Sequence, residues 1–302
     1  MNTSGNPAAA DFSAGRSLVG RCVEPSSPGQ TDRLSACTRP ITAVIITLNG
    51  ATHLGRVLES VGLCSERLVL DSGSTDGTVA LACAAGARVE QQAFLGYGLQ
   101  KQHAVQLATH DWILSLDDDE VLDPEASDAI SRLDLSDPFA CWSIRRRTFI
   151  GAREMRHGPW KNDCVLRLFN RQTAAFKPLM VHEQVQPQRP PQLLPGSVAH
   201  YSYDNCCDLL ARALRYAPLK AGLMHAKRQR VHTWMLPLRG LATFVRCYYL
   251  QGGWRDGAAG FAVALSRVID ATLPRTMLLL GEADEATKSS ADQRHEKHAS
   301  RK

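Results

Sequence analysis

The chain reads as an α/β protein: a mostly parallel central sheet with helices on both faces, followed by a C-terminal helical extension. Three observations predict this. Ile41–Leu48 (ITAVIITL) is a short apolar, β-branched run, the pattern of a strand buried on both faces. Leu54, Val57, Leu58 and Val61 then recur at i, i+3, i+4 and i+7, which is an amphipathic helix. The same alternation repeats downstream, and alternating strands and helices imply crossover connections and parallel pairing.

In order, Arg67–Leu70 is a second strand ending at Asp71, and Ser72–Gly77 (SGSTDG) is a polar turn. Thr78–Ala85 is a helix stopped by Gly86, and Arg88–Gln91 a third strand. Leu99–Ala108 is a helix, and Trp112–Leu116 (WILSL) a fourth strand running into Asp117-Asp118-Asp119-Glu120. Beyond residue 139 the pattern loosens into Arg, His, Trp and Phe with Pro-containing turns, and Pro187–Pro195 is expected as a loop. Residues 205–230 read as a helix with a basic end, and 232–281 as apolar clusters punctuated by Arg239, Arg246, Arg255 and Arg267. Sheets of this kind bind ligands outside the carboxyl ends of their strands. Three polar clusters fall there: Thr47–Asn49, Asp71–Asp76 and Asp117–Glu120.

Composition narrows the class. Of 302 residues 44% are hydrophobic and 22% charged, so the chain can bury a substantial core. Net charge is +5, which suits phosphate-bearing partners or an anionic membrane surface. The basic residues are scattered and form no recognised nucleic-acid module, so no nucleic-acid partner is expected. Nine cysteines without a C-x-x-C pair argue for reduced thiols in the cytoplasm and against a zinc site. Residues 1–39, rich in Ser, Gly, Pro and Ala, are expected to be a disordered leader without a secretory signal, and 282–302 a disordered tail. No apolar run approaches the ~18 residues of a spanning helix.

The carboxylates carry the chemistry. In an extended segment residues two apart share a side, so Asp117 and Asp119 are expected to face one way and Asp118 and Glu120 the other. Crowded carboxylates repel unless a cation neutralises them, and oxygen ligands beside substrate phosphates suit Mg²⁺ or Mn²⁺. An acidic loop capping the helix that starts at Asp123-Pro124-Glu125 is the alternative.

Several blocks together resemble the family 2 glycosyltransferases of the GT-A, Rossmann-like fold: VIITLN (44–49), VLDSGSTDGT (69–78), GLQKQHAVQLA (98–108) and WILSLDDDE (112–120). The resemblance implies that Asp71 contacts the base or ribose of a nucleotide-sugar. It implies that Asp117 and Asp119 bind ribose, metal and diphosphate, and that Thr47 and Asn49 line the nucleotide pocket with Ser72. Lys101 either reaches a phosphate or is a solvated charge on its helix. Asp76 is read as a helix cap. The family places an acidic residue directly after the first-strand Asn, where this chain has Gly50. Downstream, RRRTF (145–149), RHGPW (156–160), Asp163, Arg167-Leu168-Phe169, Val181-His182-Glu183, HYSY (200–203) and GWRDG (253–257) with Gly260 resemble the lipopolysaccharide core β-1,4-glucosyltransferase subgroup. Pro159 and Lys161 depart from its usual Gly and Tyr. The domain reading is thus 40–203 for the glycosyltransferase unit, with 40–138 as its nucleotide-sugar half and 139–203 as its acceptor half, and 204–281 for the helical extension.

The implied reaction is inverting transfer of a hexose, glucose from UDP-glucose, to a lipopolysaccharide-core or similar glycolipid or oligosaccharide acceptor. It needs a divalent cation for the leaving diphosphate and a general base for the acceptor hydroxyl. Glu183 is the candidate base and Asp163 its competitor. His200 is a candidate third metal ligand, against a satisfied core or surface histidine. Arg145, Arg146, Arg147, Arg156 and Arg167 are candidates for diphosphate or anionic acceptor groups, and Trp160 for stacking on a sugar. Trp234–Leu250 interleaves apolar and aromatic residues with Arg239 and Arg246, which fits a helix in a membrane interface and equally one packed on the sheet. The expected location is the cytoplasm, at the cytoplasmic face of the inner membrane. Two alternatives stand beside this reading. A sugar nucleotidylyltransferase would need a basic Gly-dense loop after its first strand, and TLNGATHLG lacks that character. A non-catalytic nucleotide-sugar or glycan-binding protein would have no need of the Asp117/Asp119 pair.

Overall fold

The computed structural model describes residues 38–177 and 184–282. The first half alternates as expected: β1 (Arg39–Thr47), α1 (Ala51–Ser60), β2 (Cys64–Asp71), α2 (Thr78–Ala84), β3 (Arg88–Gln91), α3 (Tyr97–Leu107) and β4 (Trp112–Asp117). These four strands pair in parallel in the order β3-β2-β1-β4. Because successive side chains of a strand point to opposite faces, Ile41, Ala43 and Ile45 of β1 enter one core and Val44 and Ile46 another. The first core packs against Leu54, Val57 and Leu58 of α1 and Ala82 of α2, and the second against Ala104 and Val105 of α3. Both faces of the sheet are therefore covered, which is why β1 carries no polar alternation.

The second half is richer in strands than its sequence suggests. It contains β5 (Glu120–Leu122), α4 (Pro124–Ser131), β6 (Cys141–Ile150), β7 (Arg153–Glu154), β8 (Cys164–Asn170), β9 (Ala175–Phe176), β10 (Val185–Gln186) and β11 (Gln192–Tyr203). The sheet continues β4-β8-β6-β11-β5, with β7 on β6, giving nine strands. β8 runs antiparallel to β4 and to β6, β11 runs parallel to β6, and β5 runs antiparallel to β11. Six of the nine strands share one direction: β1, β2, β3, β4, β6 and β11. The expected loop at 187–195 ends early, because β11 already begins at Gln192 and pairs with Trp142. Its prolines misled the reading. Pro195 lies where the β6–β11 register shifts, between Leu193 and Ser197, and a bulge tolerates a residue without an N–H.

Asn205 caps α5 (Cys206–Ala226) by accepting from the Asp208 N–H at 3.0 Å. α6 (Met235–Phe244) continues through a π-turn (Val245–Leu250) and a 3-10 turn (Gly253–Asp256) into α7 (Gly257–Leu279). α7 packs against both α5 and α6. Met155, Leu209, Ala262 and Val263 form a third apolar cluster that ties this helical layer to the end of the sheet domain. Among the described residues no helix is long and apolar enough to cross a membrane.

The conspicuous GWRDG run with Gly260 has a packing explanation. A Cβ on Gly253 would lie 2.7 Å from the Cys247 carbonyl oxygen, and one on Gly260 would overlap the Gly253 carbonyl oxygen. Backbone touches backbone here, so only glycine fits. Asp256 accepts from the His157 N–H and contacts its Nδ1, both at 2.8 Å, closing the layer onto the sheet domain. Gly260→Ala is expected to destabilise the protein by about 1–3 kcal/mol through overpacking. Gly77→Ala, with nothing within 4 Å of its Cβ, should stay within about 1 kcal/mol of wild type. Urea unfolding of both variants checks this, and an unchanged midpoint for Gly260→Ala would refute the close packing.

Candidate active site

All three polar clusters predicted at the strand ends converge. The loop after β1 is tied to the loop after β2: Asn49, at φ +57, accepts through Oδ1 from the Thr75 N–H at 2.8 Å, and its own N–H donates to Ser74 Oγ at 2.8 Å. Asp71 is fully buried and accepts from the N–H groups of Gly73 and Ser74 at 3.0 Å and from the Ser74 hydroxyl. Its carboxylate thus builds the turn that follows β2. Asp76 accepts from the Thr78 N–H at 3.0 Å in a local turn, but the N-cap position of α2 is Gly77, so Asp76 stands one residue before the expected cap. Ser72 lines a cleft of about 1010 Å³ together with Thr47, Asp117, Asp118, Asp119 and His200; Asp71, Asn49 and Lys101 are not on its wall.

The carboxylates do not alternate as an extended segment would. β4 ends at Asp117 and a tight turn at 118–119 intervenes before β5, so Asp117 and Glu120 fall together. The Asp117 N–H donates to Glu120 Oε2 at 3.2 Å. β5 pairs with β11 in a register that sets His200 opposite Glu120. Asp117, Glu120 and His200 consequently offer ligand atoms within 4.8 Å of one another. Asp119 adds a carboxylate 3.5 Å from His200 Nε2. Glu120 was not singled out in the sequence; the signal that could have found it is the turn-forming Asp118-Asp119 pair, which breaks the period of two.

Charges in this cluster are divided unevenly. Lys101 is neither solvated nor in the cleft: it is fully buried with Nζ 2.7 Å from Asp117 Oδ1. Arg167 Nη2 donates to Asp117 Oδ2 at 3.0 Å and to Glu120. Burial opposes ionisation of Asp117, but Lys101 and Arg167 outweigh it and hold this carboxyl well below the usual carboxylate range. Asp119 behaves oppositely. Burial first, then the charges of Asp117, Glu120 and Asp118, push its carboxyl well up, with only Arg212 pulling down. Burial also raises Asp118, partly offset by the Thr47 hydroxyl, which donates to it at 2.5 Å. Burial drives the His200 imidazole down to about 4, leaving it neutral and able to act as a ligand at neutral pH. A neutral imidazole beside an under-neutralised Asp119 is a donor set that fits a divalent cation.

Gly50 also finds its reason here. A Cβ at this position would lie 2.5 Å from Thr47 Oγ1 and overlap the Asp118 carboxylate. The space next to Asn49 is filled by an acid arriving from the end of β4.

The remaining candidates separate. Asp163 is held by Arg146, whose Nε and Nη2 donate to it at 2.9 and 2.6 Å. Arg146 also lies 3.7 Å from Glu120 and, with Arg167, lines the cleft. Arg147 and Arg156 pair with Glu154, and Arg145 is exposed away from the cleft. Trp160 stacks on Tyr203 at 5.8 Å. Glu183 and His182 lie outside the described residues. The sequence reading missed the cleft's far wall: Arg212, Arg215, Tyr216 and Lys220 of α5 and Asp270 of α7 line it. Tyr216 meets the Tyr97 hydroxyl of α3 at 3.1 Å, bridging the two walls. Nothing in the periodicity of α5 distinguishes a cleft wall from any amphipathic face.

Known proteins share this arrangement of segments. The model of Glycosyl transferase family 2 matches residues 42–186, the stretch that contains the whole acidic cluster except His200. The lipopolysaccharide core biosynthesis glycosyltransferase LpsC of Rhizobium meliloti (strain 1021) is 30% identical over 250 residues, covering 78% of this chain and 90% of that protein. An uncharacterized glycosyltransferase of Rickettsia bellii (strain RML369-C) is 31% identical over 235 residues, covering 71% and 79%. Among solved structures, glucosyl-3-phosphoglycerate synthase from Mycobacterium tuberculosis, in complex with Mn²⁺, UDP and glucosyl-3-phosphoglycerate, is 25% identical with a TM-score of 0.30. That likeness covers 37% of this chain and 44% of the other, less than half of either. With the strand-end carboxylates in place and a relative matched along nearly its whole length, the chain belongs to glycosyl transferase family 2.

Proposed function

We propose that this glycosyltransferase moves a hexose, glucose from UDP-glucose, with inversion onto a lipopolysaccharide-core or similar glycolipid acceptor, with Mg²⁺ or Mn²⁺ and in peripheral contact with a membrane. The observation that carries it is the under-neutralised Asp119 beside neutral His200 on the wall of a cleft large enough for a nucleotide-sugar. The 30% identity to a lipopolysaccharide core biosynthesis glycosyltransferase supports the acceptor class.

Bound divalent metal would be held by Asp119 and His200 with Asp117 or Glu120, and would supply neutralisation of the charge that develops on the leaving diphosphate. The chain's own residues do the rest. Lys101 and Arg167 keep Asp117 ionised and fixed in position. Ser72 and Thr47, on the cleft wall, would contact the donor. The acceptor oxygen attacks the anomeric carbon, the bond from that carbon to the diphosphate oxygen breaks with its electron pair on oxygen, and the hydroxyl proton passes to a base. Glu183 is the proposed base, on the resemblance carried by Val181-His182-Glu183. Asp163 would have to release the two Arg146 N–H groups that donate to its Oδ2 to compete.

Calorimetry with Mn²⁺ present is expected to show UDP-glucose binding more tightly than UDP-N-acetylglucosamine, UDP-galactose or GDP-mannose. Turnover of sugar phosphate plus UTP, without transfer from any nucleotide-sugar, would replace this reading with a nucleotidylyltransferase.

The metal role is tested without activity. An aspartate whose folded pKa exceeds its unfolded one costs stability above the folded value and recovers it as pH falls through that value. Asp119→Asn is therefore expected to raise the melting temperature of the metal-free protein at pH 7, by roughly 2–4 °C for each kcal/mol relieved. The gain should vanish on acidification, and Mn²⁺ should stabilise wild type more than the variant. Equal melting temperatures, or equal stabilisation by Mn²⁺, would remove Asp119 from the metal site.

For the base, Glu183→Gln should lower kcat by roughly 10²–10⁴-fold with donor affinity unchanged. Should Asp163→Asn lose turnover while Glu183→Gln keeps it, the proton goes to Asp163.

A further inference from the structure

Among the described residues, nothing covers one face of the C-terminal layer. Gly240 turns α6 toward α7, its Cα side meeting Thr272 and Val268 at ordinary contact distance. The opposite side of α6 and its continuation exposes Trp234 (66%), Leu238 (58%), Leu241 (61%) and Leu250 (77%), with Tyr249 and Trp254 also exposed. At the helical period Trp234, Leu238 and Leu241 form one stripe. Arg239 and Arg246, seven residues apart and both exposed, lie on a flank of the same helical segment. Contiguous apolar exposure of this size on a folded domain marks an interaction surface.

Charge says what the surface meets. Residues 227–282 contain eight Lys and Arg (227, 228, 230, 239, 246, 255, 267, 275) and three acids (Asp256, Asp270, Glu282). Two of those acids are already engaged, Asp256 by His157 and Asp270 by Lys220 and Arg267. A second copy of the same face would bring arginines against arginines and bury them, which is costly. A bilayer with anionic headgroups instead takes the apolar stripe into its interface, the indole and phenol rings at headgroup level and the arginines among the phosphates.

We infer that the α6 face and the turns leading into α7 form a docking surface for an anionic lipid bilayer. The inference rests on the glycolipid reading only for its purpose, not for its evidence. α7 stands between the two: Ser266 and Asp270 line the cleft, while Val268 and Thr272 carry α6. Docking through α6 therefore holds the far wall of the cleft, Leu219 and Leu223 of α5 included, one helical layer from the lipid.

The test is co-sedimentation of the full chain with phosphatidylcholine vesicles and with equimolar phosphatidylcholine–phosphatidylglycerol vesicles. Binding is expected to the mixed vesicles, much less to phosphatidylcholine alone, and to weaken with salt. Each arginine near an anionic surface contributes about fivefold to partitioning, about 1 kcal/mol, so Arg239→Gln with Arg246→Gln should reduce it by about 25-fold. Leu238→Ser with Leu241→Ser should abolish it. Circular dichroism and UDP-glucose affinity, both expected unchanged in these exposed-site variants, show that the fold and the donor site persist. Absence of vesicle binding by the wild type would overturn the inference, as would equal binding to both vesicle types. So would a dimer in light scattering that Leu238→Ser with Leu241→Ser dissolves, which would assign the face to a second copy. Vesicle binding by a protein that takes no nucleotide-sugar would instead overturn the proposed function and leave the docking surface standing.

Discussion

The buried ion lattice of Lys101, Asp117, Arg167 and Glu120 is the constraint on which the site depends. Lys101, Arg167 and Glu120 are withdrawn from water at the end of β4 beside Asp117, whose carboxylate reaches the cleft wall, and they are tolerable because each is paired at close range. The lattice joins α3, β4, β5 and β8, elements from both halves of the sheet. It therefore fixes where the turn at 118–119 emerges. Removing any one member would unbalance the charge held there, a larger cost than losing a surface pair.

Burial and carboxylate crowding fall on the neighbours that the lattice does not pair. Asp119 and Asp118 are pushed toward the protonated state, and His200 is held neutral by its burial. A site so arranged is strained toward accepting positive charge at one place on the cleft wall. The parallel half of the sheet delivers the carboxylates, and the β5–β11 pairing delivers the imidazole. Neither half forms the site alone.

The helical layer plays a second part. Its glycines let the 3-10 turn and α7 meet backbone to backbone, and its α5 closes the cleft with arginines and a tyrosine that reaches α3. The same layer turns an arginine-flanked apolar face outward. One packed unit thus borders the cleft on one side and, among the described residues, an exposed apolar surface on the other.

What the sequence determined by itself was whatever depends on local period and order. The apolar run of β1, the i, i+3, i+4 spacing of α1 and the polar stops after β1, β2 and β4 specify a parallel sheet with its chemistry at one edge, because these patterns follow from one element at a time. Family blocks then named the class. Tertiary structure decided the rest. The period of two put Asp117 with Asp119 on one side, and the two-residue turn adds Glu120 to Asp117 while both aspartates reach the cleft wall. Lys101 fitted either a phosphate contact or a solvated helix lysine until α3 packed on the sheet and buried it against Asp117. Arg145, Arg146 and Arg147 disguised a strand, since the partners of the last two, Asp163 and Glu154, come from other segments. Charge pairing and strand register are set by residues far apart in the chain, and no local pattern encodes where they meet.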